Sequence, residues 1–218
     1  MRNADISATI SPVRLQRFVT AAGNTTDALR LYRWNAQLAA AYWTPLHFME
    51  VAVRNAVHDS LAATMANPRW FKDPAVPGRG AAWLYPFEAE AVEKAIDKIF
   101  DPVTPDKVVA ELHFGFWVGL LSGRYVPAQG GTDYHSMVWV KGGVSKKFGV
   151  AKRRDVHKRL DRLRRFRNRV AHHEHLMGEN LDVVSADIDT ILRILCPATA
   201  TWVRAMSDVT RVRRKRPC

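Results

Sequence analysis

The sequence predicts an all-α domain, and three observations carry that prediction. Apolar residues recur at helical spacing, as at Leu46, Val53, Val57 and Leu61 and again at Val156, Leu160, Leu163 and Val170. Each set forms one stripe of a helix packed against neighbours. Pairs such as Ser11-Pro12 and Thr104-Pro105 put a capping side chain before a proline, the usual opening of a helix. Strings rich in Gly, Pro and Asn separate the apolar stretches, and no repeat of solenoid period interrupts them. At 218 residues the chain suits one domain over 11–207. A flexible N-terminal arm over 1–10 and a disordered basic tail over 208–218 are expected to flank it.

Taken in order, Ser11-Pro12 opens a short amphipathic helix through Leu15, Phe18 and Val19, and Gly23-Asn24 ends it. Thr25 or Thr26 caps the next, which runs from about 28 to 44 and resumes after Pro45 to about 65. Proline removes a backbone donor and clashes with the preceding turn, so Pro45 is expected to kink or divide this helix. Glu50, Arg54 and His58 follow at four-residue spacing on the border of the apolar stripe, a row read as a semi-buried polar cluster. The string from Asn67 to Gly80, with Pro68, Asp73-Pro74 and Pro77-Gly78-Arg79-Gly80, reads as a loop pinned by Trp70 and Phe71.

A helix with many acidic residues is expected over 81–100, stopped by Asp101-Pro102. The segment 107–122, apolar on nearly all sides around Phe116-Trp117-Val118-Gly119, reads as one central buried helix. Its His113 reads as a core histidine. Residues 123–150 read as a Gly-rich connecting loop anchored by Tyr134 and Trp139. Gly130-Gly131 and Gly142-Gly143 lack the Gly-Lys-Ser/Thr ending of a phosphate loop. A basic helix over 152–174 and two closing helices, 181–195 and 198–206, complete the bundle.

Composition narrows the function. Thirty-three Lys and Arg against 21 Asp and Glu leave a net charge of +12, which favours a polyanionic partner, nucleic acid before a membrane surface. Cys196 and Cys218 form neither a disulfide framework nor a zinc spacing. No run approaches the ~18 apolar residues of a membrane span, and a cytoplasmic protein is expected.

Chemistry concentrates in Arg164-Arg165-Phe166-Arg167-Asn168-Arg169-Val170-Ala171-His172-His173-Glu174-His175. Ten of the 18 residues from Lys152 to Arg169 are Lys or Arg. Lys158, Arg162, Arg165 and Arg169 are the candidate contacts to a phosphodiester backbone. Arg167 falls where the helix stripe calls for an apolar residue, so its guanidinium is expected to point into the core, or to its edge, and needs a partner. Asn168 and His172, four apart, share the adjoining face. In RNA cleavage the nucleophile, a 2′-hydroxyl, comes with the substrate. An imidazole to move protons, a guanidinium to grip the phosphate and an amide to orient them suffice without metal. A metal site at His172, His173 and His175 is disfavoured, because adjacent histidines leave a helix on different faces.

Arg167-Asn168-Arg169-Val170-Ala171-His172 resembles the Arg-polar-x3-His signature of the HEPN superfamily of helical ribonucleases. Leu31-Tyr32-Arg33-Trp34-Asn35, the stretch Met49 to His58, Phe116 to Leu121 and Arg167 to Glu174 together resemble the Abi-like (abortive infection, AbiD/AbiF type) proteins of bacterial phage defence, over about 11–206. The resemblance implies a HEPN-like helical bundle with additional helices, often a homodimer, acting as a metal-independent endoribonuclease with no cofactor. It carries the catalytic assignment to Arg167, Asn168 and His172, and Glu50 is the candidate acidic partner of the motif arginine. His173 fits the looser spacing, and Arg54 and His58 are supporting candidates. The expected substrate is an RNA, whether tRNA, messenger or phage transcript, with an antitoxin or a phage-derived trigger as the restraint. Two alternatives stand beside this. One is a non-catalytic RNA-binding or regulatory HEPN module; the other treats Arg167 as a core ion pair with Glu50 and the histidines as a helix end favoured by the macrodipole.

Overall fold

In the computed structural model, residues 3–75, 78, 80–100, 102–126 and 132–217 are described. Met1 and Arg2 of the expected arm, Pro77 and Arg79 of the loop, the breaker Asp101, the pair Gly130-Gly131 and Cys218 lie outside them. The fold is mostly helical: α1 (Asn3–Ile10), α2 (Pro12–Ala22), α3 (Thr25–Thr64), α4 (Pro86–Asp97), α5 (Pro105–Glu111), α6 (Phe114–Leu120), α7 (Val144–Phe148), α8 (Arg153–Ala171), α9 (Leu181–Leu195), α10 (Pro197–Met206) and α11 (Val209–Arg213). One antiparallel pair, β1 (Tyr125–Val126) with β2 (Thr132–Asp133), sits between α6 and a π-helical segment at His135–Lys141.

The bundle is built on α3, whose 40 residues make a rod about 60 Å long. Asn24 caps it, accepting from the Asp27 N–H at 3.0 Å, so the cap lies one residue before the expected threonine. The helix does not divide at Pro45. Tyr42, Pro45, Leu46 and Met49 are all buried on one core, and the burial of each large side chain, about 1.5–3 kcal/mol, offsets the roughly 3 kcal/mol cost of the proline. Helices α2, α6, α8, α9, α10 and α11 pack around this rod. The stripe Val156, Leu160, Leu163 and Val170 of α8 is buried, with Phe166 filling the gap between Leu163 and Val170.

Other segments depart from expectation, each for a tertiary or capping reason. The expected arm is helical from Asn3, which donates from Nδ2 to Thr26 Oγ1 at 3.0 Å. The acidic helix starts only at Pro86, because 81–85 turn beneath it. The central apolar helix is two, α5 and α6, broken where the His113 ring accepts from the Phe116 N–H and recaps the chain. The Gly-rich loop holds the β1–β2 pair, the π-helical segment and α7, with Tyr134 and Trp139 buried. The basic tail is docked. Val209 and Val212 are buried, Trp34 Nε1 donates to the Val212 carbonyl at 2.9 Å, and Arg216 lies over the Trp34 ring. No helix among the described residues is long and apolar enough to cross a membrane.

Candidate active site

Because Phe166 takes the core position on α8, Arg167 is turned about 100° away, to the border of the core rather than into it. There its Nε donates to Glu50 Oε2 at 3.2 Å, and its guanidinium lies 5.7 Å from the centre of the Trp43 ring. Both carboxylate and cation come from helices whose opposite faces are buried, so the pair bridges α3 and α8. The side chains are 29% and 21% exposed, which leaves guanidinium donors facing solvent. Arg167 and Asn168 line an open cleft of about 420 Å³, together with Phe87, Glu88, His113, Gly115, Arg124, His157 and Arg164.

The histidines of the motif diverge. His172 is the first residue past α8; its N–H reaches the Asn168 carbonyl at 2.8 Å and it lies exposed, outside the lining of that cleft. His173 adopts φ 55, a left-handed conformation that turns the chain off the helix. Its side chain lines a separate groove with Tyr32, Trp43 and Val170. His175 Nε2 accepts from Arg17 Nη1 at 2.6 Å. Among the described residues no group of three or more His, Cys, Asp or Glu is arranged to hold a metal ion.

The row on α3 diverges too. Glu50 turns to α8, whereas His58 Nδ1 accepts from Trp70 Nε1 at 3.1 Å and fastens the 67–80 loop; burial holds the His58 pKa below its ordinary value. Arg54 Nε is buried without a hydrogen-bond partner. Of the four expected phosphate contacts, Lys158 is exposed and makes no ion pair among the described residues. Arg165 pairs at the surface with Asp161 at 3.1 Å. Arg162 and Arg169 are occupied otherwise. Arg162, with Arg159, grips Asp187 of α9, which is 1% exposed, and Arg169 is held by Glu174 and Glu179, each at 2.9 Å. These acids fold back onto α8 from later in the chain, a contact no helical wheel of α8 displays.

Several residues of the cleft, among them Phe87, Glu88, His113, Arg124 and His157, carry no site signal in the sequence. His113 was read as core, yet its ring sits at the cleft, accepting on Nδ1 from the Phe116 N–H at 3.1 Å. A Cβ on Gly115 would come within 3.0 Å of that nitrogen, so the glycine admits the ring. Burial, then the Arg167 and Arg164 cations, hold the His113 pKa down. Glu88, fully buried, receives the Tyr134 hydroxyl at 3.3 Å and Arg124 at 3.5 Å. A side chain at Gly119 would collide with its Oε1. Burial pushes the Glu88 pKa up, against the pull of Arg124. The only sequence signal was the glycine spacing of Phe114-Gly115-Phe116-Trp117-Val118-Gly119, which marks close approach without saying of what.

The arrangement is a cationic, donor-rich cleft with a carboxylate-held arginine at its rim, suited to binding a phosphate and stabilising charge that develops on it. Compared with family models, with curated proteins and with solved structures, the chain finds no match in any of the three.

Proposed function

We propose that this chain is a metal-independent endoribonuclease of the HEPN type, acting in bacterial phage defence, and that Arg167, Asn168 and His172 carry the reaction with Glu50 as the support of Arg167. The observation that carries the reading is the Arg167–Glu50 pair at 3.2 Å, set at the rim of an open cleft beside Asn168 and a little over one helical turn from His172. A pair that served only to join two helices would not need the open cleft beside it.

In this reading Arg167 grips the scissile phosphate and stabilises its charge, and Asn168 orients the phosphate or the imidazole. His172 moves protons as the substrate's own 2′-hydroxyl attacks phosphorus and the 5′-oxygen leaves. The basic composition draws the RNA in. The exposed Trp43 and the groove it shares with Tyr32, Val170 and His173 support a homodimer joined near the motif. An antitoxin or phage-derived trigger would restrain the activity.

The test is incubation of the wild type and His172→Ala with total bacterial RNA in EDTA, read on a denaturing gel. Discrete fragments from the wild type alone are expected. Intact RNA in both lanes, from folded protein, would reject a nuclease active on its own and leave either an enzyme awaiting its activator or a second reading, an RNA-binding module. The observation favouring that second reading is the position of His172 outside the cleft that Arg167 and Asn168 line.

A further inference from the structure

We propose that the cleft beside Arg167 is a receptor for one segment of single-stranded RNA, holding a backbone phosphate among its guanidiniums and stacking a neighbouring base on Phe87. The proposal rests on the ribonuclease reading for the choice of RNA; the binding itself does not require cleavage.

Three guanidiniums from two parts of the chain line this one cleft, and a carboxylate lies beside each. Arg124 leans on Glu88 at 3.5 Å with the Tyr85 ring beneath it. Arg164 donates from Nε and Nη2 to Asp161 Oδ1 at 3.0 and 2.8 Å, and Arg167 donates to Glu50. A guanidinium has five N–H donors, so each keeps several for a ligand, and the hydrogen bonds to Asp161 and Glu50 fix the directions of Arg164 and Arg167. His113 adds another donor. The Phe116 N–H can only donate, so Nδ1 must accept and the ring proton of the neutral imidazole stands on Nε2. A set of oriented donors of this kind recognises a phosphate.

The second observation is Phe87. It opens α4 at the cleft, is 52% exposed, and its ring centre lies 6.0 Å from that of His113. An exposed aromatic face beside a phosphate receptor is the pairing that binds unpaired strands, because any unstacked base offers a π-face. In a duplex the bases are stacked inside and no such face is offered. A cleft of about 420 Å³ falls in the range that encloses a small ligand, the scale of one nucleotide unit.

The experiment measures anisotropy of a 5′-fluorescein 2′-O-methyl oligo(A) 12-mer, which lacks the attacking hydroxyl and stays intact whatever the enzyme does, alone or paired with its oligo(U) complement. The full-length wild type should bind the single strand. Phe87→Ala and Phe87→Leu should each weaken that binding roughly tenfold, with the duplex unaffected. Arg164→Gln should flatten the dependence of log affinity on log salt by about 0.7. Phe87→Leu keeps the apolar contact and removes the ring, so it separates stacking from packing. Wild-type affinity in a folded Phe87→Leu, equal Phe87 dependence for the duplex, or no binding of either form would overturn the proposal. Phe87-dependent binding without cleavage of total RNA would reject a nuclease active on its own and leave this receptor standing.

Discussion

Helix α8 carries two arginine arrangements less than two turns apart, and they do different things. At Arg159 and Arg162 two guanidiniums converge on Asp187, which α9 presses out of solvent. At Arg167 one guanidinium meets Glu50 at the border of the core, with an open cleft beside it. In the first only the acid is closed over by protein, its two arginines staying 40% and 36% exposed; in the second both partners keep some contact with water. An ion pair buried on the acid side is costly to break, because the remaining charge has no water to turn to. A half-exposed pair contributes little to stability and leaves its donors free for a ligand. The same residue type on one helix is thus scaffold at one place and candidate site at the other, and the partner's burial separates the two.

The largest effect that sharpens the contrast is the double substitution Arg159→Gln and Arg162→Gln, which strands the Asp187 carboxylate. It should cost about 3–5 kcal/mol and lower the melting temperature by on the order of 10 °C, read by circular dichroism. A shift under about 2 °C would mean that Asp187 is not isolated from water, and the contrast would collapse.

Next, Arg167→Ala should reduce RNA cleavage by roughly 10²–10³ while costing about 1 kcal/mol or less of stability. Glu50→Gln should follow it in the same direction with a smaller loss. If Arg167→Ala instead unfolded the protein with an effect as large as the Asp187 pair, Arg167 would belong to the scaffold.

A third effect comes from pH. Burial lowers the pKa of His58, His113 and His157 below the ordinary 6.5. The unfolded chain therefore takes up these protons first as pH falls, so the stability associated with the neutral rings is present above about 6.5 and is lost as pH drops below it. Glu88 runs the other way. Its raised pKa favours the fold while the carboxyl is protonated, a contribution lost as pH rises from 4.5 through the folded value. Melting temperatures should fall from pH 7 to 5.5, and less steeply in His113→Asn.

The smallest effect is expected at Asp189, which pairs at the surface with Arg193 and Arg204. Asp189→Asn should change stability by less than about 1 kcal/mol and leave cleavage and RNA affinity unchanged. This is the control for charge removal as such.

Much of the helical outline was legible locally. The stripes of α3 and α8 and the Ser11-Pro12 opening follow from period and capping, whereas the place between Leu163 and Val170 that period alone gives to Arg167 is taken by Phe166. Glu50 stands out locally as a polar residue beside the apolar stripe of α3, but its pairing with Arg167 across 117 residues is what the family resemblance suggests and nothing in either helix alone dictates it. The cleft was not legible. His113 is a core residue by composition and becomes a cap and a donor only because α5 and α6 part there.

What the sequence by itself determined was which segments are helical and which face of each is apolar, since both depend on neighbours three and four residues away. Tertiary structure alone decided which charges are free. It gave Arg162 to Asp187 and Arg169 to Glu174 and Glu179, docked the basic tail on Trp34, and kept Pro45 inside a continuous helix. The physical reason is one of range. A helix period is set by bonded geometry within a turn, whereas the environment of a charge is set by whatever distant chain covers it or leaves it to water.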